Sequence, residues 1–392
     1  MTIFGDTNLT STTYKKHISF IKEIFNDQAF IPLHEPKFRG NEKRYLEDCI
    51  DTSYVSSVGK YVDNFEDIVS EFTNSKFAIA TVNGTSALHL ALEIAGVVEG
   101  DEVITQAMTF VGTCNAISYC GAKPIFIDIS KETLGLSASA LEEFLSKNTK
   151  KVNGECINKI SGSKISAIVP MHTFGHPVEI SAIIEISKLY GIPVIEDAAE
   201  ALGSYYKKQH VGTFGDIGIL SFNGNKIVTT GGGGMILCKD PALAVKAKHL
   251  STTAKVKHDY LFLHDEIGYN YRMPNINAAI GCAQMENISN TLNEHKELAI
   301  KYEDYFSRTN ITFIKQPTNA ESNYWLNTIL MDSESERDLF LNEANKLGVM
   351  LRPPWTLMNK LDMFKDCYDL NLENTINLSK RILNLPSSSS DT

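Results

Sequence analysis

Between residues 77 and 238 the chain repeats one pattern: short β-branched apolar runs alternating with amphipathic stretches. The runs are "FAIATV" (77–82), "EVITQ" (102–106), "PIFIDI" (124–129), "SAIVPM" (166–171), "PVIEDA" (193–198), "IGILSF" (217–222) and "GMILC" (234–238). Between several of them lie segments with helical spacing of apolar residues, at 86–97, 137–148 and 179–191. Runs this short and this apolar have no polar face to show to water. They predict an α/β fold with a mainly parallel seven-stranded sheet, buried between helices on both faces.

The flanking regions read differently. Helical spacing marks 14–26, 41–52 and 64–74 before the alternation begins. After about residue 240 it weakens, and 275–310 reads as one long helix followed by a second. "TFIKQ", "YWLNTILM" and a helix at 335–347 predict a smaller C-terminal α/β domain. A chain of 392 residues is too long for one ordinary core. The division expected is an N-terminal helical extension (1–30), a large domain (31–262) and a small domain (263–392), with the polar tail "SSSSDT" frayed.

Charge and cysteine usage exclude several classes. With 37 basic and 47 acidic residues the net charge is −10, which argues against a nucleic-acid surface. No apolar run approaches the ~18 residues of a membrane span, and the first residues lack a signal-peptide pattern. Seven scattered cysteines, never spaced C-x-x-C, argue against a disulfide framework or a zinc site and fit a reducing cytoplasm. His172 and His176 in "MHTFGHP" are separated by a glycine and followed by a proline, so they read as a loop and not as a metal pair.

In an open α/β sheet ligands sit beyond the carboxyl ends of the strands. After the first run, "NGTSALHLAL" starts a helix at Gly84, Thr85 and Ser86, where free N–H groups and the helix dipole suit an anion; a plain helix N-cap is the alternative. After "PVIE" comes Asp197, a carboxylate at the end of a buried strand. It is either a cap or ion-pair partner, or the partner of a protonated heteroaromatic nitrogen, with Glu200 one turn later facing the same ligand. After "IGILSF" come Ser221 and Lys226; the lysine is either solvated or a Schiff-base amine. Phe110, just past another strand, is either core or a flat face for a ring. A phosphate cradle, a pyridinium partner and a reactive lysine on one sheet edge make pyridoxal 5′-phosphate (PLP) the most economical ligand.

The motifs "VSSVGKYVDNFE", "NGTSALHLAL", "TFVGTCNAI", "EDAAEALGS", "SFNGNKIVTTGGGG" and "GYNYRMPNINAAIGCAQ", in this order, resemble the DegT-type sugar aminotransferases of the aspartate aminotransferase (type I) fold. The resemblance implies that Lys226 is the Schiff-base lysine and proton shuttle. Asp197 would pair with the pyridinium nitrogen, Phe110 stack on the ring, and Gly84, Thr85, Ser86 and Ser221 hold the phosphate. Glu200 falls where the family often has glutamine. Asn270 matches an asparagine that reaches the cofactor of the neighbouring subunit, which implies a homodimer with shared sites. Gly232 stands where many members carry glutamate. "NYWLNTI" and "RPPWTLMNKL" look most like the branch acting on UDP-linked 4-keto-6-deoxy-N-acetylhexosamines, on routes to bacillosamine or legionaminic acid. His172, Asn323 and Arg352 are the candidate sugar-nucleotide contacts, with L-glutamate as amino donor and pyridoxamine phosphate formed during turnover. Three rivals stand beside this: a C3-aminotransferase on a dTDP-keto-sugar, a sugar 3-dehydratase (disfavoured, because it carries histidine for the lysine), and a non-catalytic PLP-binding regulator.

Overall fold

The computed structural model describes residues 8–388. Its centre is the sheet expected from the alternating runs: β1 Phe77–Thr81, β2 Glu102–Gln106, β3 Lys123–Ile127, β4 Ile165–Ile168, β5 Ile195–Asp197, β6 Ile217–Ser221 and β7 Gly234–Cys238. β2 pairs in parallel with β3 and β4, and β5 pairs in parallel with β6. β7 runs antiparallel between β6 and β1. Two parallel bridges, Ile168 to Val194 and Met171 to Asp197, join the halves, so the order is β3-β2-β4-β5-β6-β7-β1. Only β7 opposes its neighbours.

The helices before the last strand of this sheet are α1 Asn8–Ile24, α2 Glu42–Asp51, α3 Lys60–Thr73, α4 Gly84–Ile94, α5 Val111–Tyr119, α6 Ala138–Asn148 and α7 Ile180–Tyr190. After it come α8 Pro241–Ser251, α9 Asn275–Glu286, α10 Ile288–Phe306, α11 Glu334–Lys346 and α12 Glu373–Arg381. Side-chain alternation along the strands sorts the core onto two faces. Along β7, Ile236 and Cys238 join Leu88, Leu92, Ile117 and Leu250 of α4, α5 and α8. Met235 and Leu237 point the other way, into the cluster of Phe65, Val69, Phe144, Ile183 and Ala278 from α3, α6, α7 and α9. A third cluster brings Ile18 and Ile21 of α1 against Tyr302 and Phe306 of α10 and Phe340 of α11. It covers a small antiparallel sheet of β8 Thr312–Phe313, β9 Asn327–Leu330 and β10 Ile382–Leu385. The N-terminal helix therefore packs on the C-terminal region, and α9 packs with α2 and α3.

The 275–310 segment is two helices, as its sequence suggests, and they meet at Asn287 (φ −112°, ψ 8°). Three features depart from the sequence reading. α5 was not anticipated, because Gly112, Thr113 and Asn115 are poor helix formers that tertiary packing overrides. A hairpin at 149–158 turns on Asn153–Gly154, both with positive φ, the two-residue turn that Asn-Gly favours. In the tail, Ser387 and Ser388 are buried rather than frayed: the Ser387 hydroxyl accepts the Asn327 N–H at 2.7 Å and the Ser388 hydroxyl that of Glu35 at 2.8 Å. Residues 389–392 lie outside the described residues.

Candidate active site

A cavity of about 310 Å³ opens at the carboxyl edge of the sheet. Its wall takes Gly84 and Thr85 from the β1–α4 turn, Phe110 and Thr113 from the β2–α5 turn, and Asp197 and Glu200 from beyond β5. Ser221 and Lys226 come from beyond β6, and Trp325 and Trp355 close the far side. Register explains the convergence. Gly234 of β7 pairs with both Thr81 and Ser221, which sets the ends of β1 and β6 side by side across one strand.

The β1–α4 turn fits a phosphate. Asn83 caps α4 by accepting the Ser86 N–H at 2.8 Å. That leaves the N–H groups of Gly84 and Thr85 without an acceptor among the described residues, at the positive end of the helix. A Cβ on Gly84 would lie 2.9 Å from the Ser221 Cβ, so glycine is what lets the serine hydroxyl close against this turn. Ser86 itself does not line the cavity, because its N–H is spent on the cap. Gly232, by contrast, has only the Val82 carbonyl within 4 Å of an added Cβ, so nothing in the packing demands glycine there.

Asp197 sits deeper, only 4% exposed. The Thr113 hydroxyl donates to Oδ2 at 2.7 Å and the Ala199 N–H to Oδ1 at 3.2 Å. Burial raises its pKa, and these two donors only partly offset that. No cationic side chain touches it among the described residues. A buried carboxylate facing a cavity without a contacting cation suits a ligand that brings a positive nitrogen. Phe110 lies at the same cavity and is 50% exposed, a ring face available to a flat ligand and not a core residue.

Opposite stands Lys226. Its Nζ is 3.3 Å from Glu200 Oε1 and 3.9 Å from the centre of the Trp325 ring. The other Glu200 oxygen accepts the Phe174 N–H at 2.9 Å. Burial pushes the Glu200 carboxyl up to about 7, against the pull of the nearby Lys226 charge. Phe174 takes a left-handed φ of 57° to deliver that N–H, a strained conformation for a bulky residue.

Three expected substrate contacts lie outside this cavity. His172 is fully buried: its Nδ1 accepts the Val178 N–H at 3.2 Å, so the proton sits on Nε2, which donates to Glu196 at 3.1 Å. Burial alone would raise Glu196, but His172 and the N–H groups of Gly215 and Gly212 hold it below the usual carboxylate range. His172 therefore braces the strand that carries Asp197 and cannot turn to a substrate. Asn323 is likewise buried and spends its amide on the Glu200 and Leu202 carbonyls, each at 2.9 Å. Arg352 is exposed and its backbone pairs with Asn384. Asn270 is also exposed and outside its own chain's cavity; its Oδ1 accepts from Arg272 at 2.9 and 3.0 Å. Trp325, Trp355, Thr113 and Met171 line the site without having been singled out. Of these, only Thr113 and Met171 follow strand ends, where attention to sequence could have found them. His176 has no polar partner and does not pair with His172. The one three-ligand cluster among the described residues, His249 with Asp265 and Glu266, is a set of surface ion pairs that also engages Lys246. No described helix is long and apolar enough to cross a membrane.

The chain as a whole is similar to known proteins. The chain is 38% identical over 358 residues to the GDP-perosamine synthase of Escherichia coli O157:H7, spanning 91% of this chain and 93% of that one. Against the GDP-perosamine synthase of Vibrio cholerae it is 35% identical over 362 residues, 91% and 94% of the two chains. The PLP form of the Streptococcus pneumoniae sugar aminotransferase Spr1654 superposes with a TM-score of 0.79 at 22% identity, over 91% of this chain and 93% of that one, and shares the type I fold. The enzyme is an aminotransferase and its cofactor is PLP. With the family model matching residues 36–391, the chain belongs to the DegT/DnrJ/EryC1/StrS aminotransferase family.

Proposed function

We propose that this enzyme carries the amino group of L-glutamate to C4 of a nucleoside-diphosphate-linked 4-keto-6-deoxy sugar. The observation that carries the reading is the convergence on one cavity of Lys226, Asp197 and the two free N–H groups of Gly84 and Thr85. The names of the relatives support GDP as the nucleotide. The UDP-linked N-acetylhexosamine of the bacillosamine and legionaminic acid routes gains no support from them.

When bound, PLP supplies an electron sink for the charge left as a proton leaves the carbon beside nitrogen. The chain supplies the rest. The Gly84 and Thr85 N–H groups and the Ser221 hydroxyl take the phosphate. Phe110 offers its exposed face to the ring. Asp197, oriented by the hydrogen bonds it accepts from Thr113 and Ala199, would hold a proton at the ring nitrogen. Lys226, once neutral, takes the proton from the donor's Cα and returns it on the other side of the transfer. Asn270 is left to serve the neighbouring subunit of a homodimer.

The test is amination of a panel of GDP-, UDP- and dTDP-linked keto sugars with L-glutamate, read by mass spectrometry. Product from a GDP-linked 4-keto sugar, lost in Lys226→Ala, is expected. Product only from UDP- or dTDP-linked substrates would refute the nucleotide assignment, and full turnover by Lys226→Ala would refute the site.

A further inference from the structure

Lys226 is held by more than the carboxyl beside it. Its Nζ stands over the Trp325 ring at 3.9 Å and beside Glu200 Oε1 at 3.3 Å, so an ammonium is favoured by a ring face and by a carboxylate at once. Both partners are fixed from behind. The Trp325 N–H donates to Asn323 Oδ1 at 2.9 Å, and its Nε1–H donates at 2.6 Å to the carbonyl of Asn225, the residue before the lysine. The Asn323 amide holds the carbonyl of Glu200 at 2.9 Å, so one side chain sets the ring and the carboxyl segment relative to each other. The turn at Gly175 packs directly against this assembly: a Cβ on Gly175, which has φ +94°, would lie 1.9 Å from Asn323 Oδ1, so only glycine fits there. A buried, hydrogen-bonded assembly that presents a ring and a carboxyl to one amine is arranged around that amine.

We propose that Trp325 and Glu200 form a docking site for the free ammonium of Lys226, with Trp325 the positioning residue that keeps Nζ at the cavity wall whenever it is not joined to the cofactor. The proposal rests on Lys226 being the reactive lysine. To capture PLP the ammonium gives one proton to solvent. The neutral Nζ then bonds to the aldehyde carbon, and its two hydrogens leave with the carbonyl oxygen as water. A docking site that stabilises the ammonium raises the pH at which capture becomes fast. Besides Glu200, the titratable groups that face Nζ are Asp197 across the cavity and the buried His34, and removing the Trp325 ring replaces none of them.

The experiment uses the full chain freed of cofactor and follows capture of added PLP by absorbance across pH. Trp325→Leu removes the ring face; Trp325→Phe keeps a face but loses the donor to Asn225. In Trp325→Leu the midpoint of the capture profile should fall by about 0.4 to 1.5 pH units, and in Trp325→Phe by less. A merely structural role would lower the rate at all pH values without moving the midpoint, and an unmoved midpoint in folded Trp325→Leu overturns the proposal. A second measurement does not depend on that variant folding. The chain has two tryptophans, so Trp355→Phe leaves Trp325 as the sole indole. Its emission should titrate with the capture midpoint and lose that transition when Lys226→Met is added; emission indifferent to Lys226→Met also overturns the proposal. Covalent capture by Lys226→Ala would instead sink the assignment of the lysine, a separate result.

Discussion

Replacing Glu200 with glutamine should make the cofactor-free protein more stable at alkaline pH and leave its acid stability little changed. The Glu200 carboxyl is fully buried and is raised from an ordinary 4.5 to about 7, burial being the main cause. At ~1.4 kcal/mol per pH unit, a difference of 7 − 4.5 means that ionising it costs about 3 kcal/mol more in the folded chain than in the unfolded one. The sign follows from linkage. Below about pH 4.5 Glu200 carries its proton in both states and no penalty exists. Between 4.5 and 7 the unfolded chain ionises first, and above 7 the folded protein bears the whole cost. Glu200→Gln keeps the shape and an acceptor for the Phe174 N–H but has no charge to desolvate. Urea unfolding of both proteins from about pH 5 to 8.5 isolates this group, since the remaining titrations are common to both. The stability gap should widen with pH in favour of the glutamine protein, by up to about 3 kcal/mol. A gap that stays flat or narrows would refute the argument and place the carboxylate in a far more polar environment than the structure shows.

Other expectations follow from the same geometry. Lys226→Ala should lower amino transfer by at least about 10³-fold, measured as single-turnover loss of the glutamate-driven absorbance change. Gly84→Ala brings a methyl within 2.9 Å of the Ser221 Cβ and should weaken PLP binding about tenfold or more in an absorbance titration, with little change in helix content; unaltered affinity would remove this turn from the phosphate site. His176, buried without a polar partner, is lowered by burial from 6.5 to about 4. Its contribution to stability is complete above pH 6.5 and is lost as pH falls toward 4, about 3 kcal/mol in all. His176→Phe should flatten that acid limb in urea titrations, and an identical limb would show that His176 charges freely.

How much of the site was legible depended on how local its parts are. Gly84, Thr85, Asp197, Ser221 and Lys226 each lie within a few residues of a strand's carboxyl end, and strands announce themselves by runs of apolar residues. Once the runs are read as one sheet, their ends fall on one edge. Trp325 and Trp355 come from a region with no such frame, more than 90 residues from Lys226 in sequence, and only packing brings them to it. His172 and Asn323 show the opposite error. Polar residues beside a likely site invite a ligand role, yet buried carbonyls and carboxylates must be satisfied first, and these two side chains satisfy them.

The amino-acid pattern by itself determined the layered α/β architecture, the order of its strands along the chain, and the chemical kind of ligand at their ends, because periodicity and strand-end chemistry are local properties. Only the tertiary structure decided the single antiparallel strand β7, the packing of α1 on the C-terminal region, and which polar side chains face the cavity. These outcomes depend on contacts between residues far apart in sequence. Which donor meets which acceptor there is settled by packing and by the cost of leaving any buried polar group unpaired.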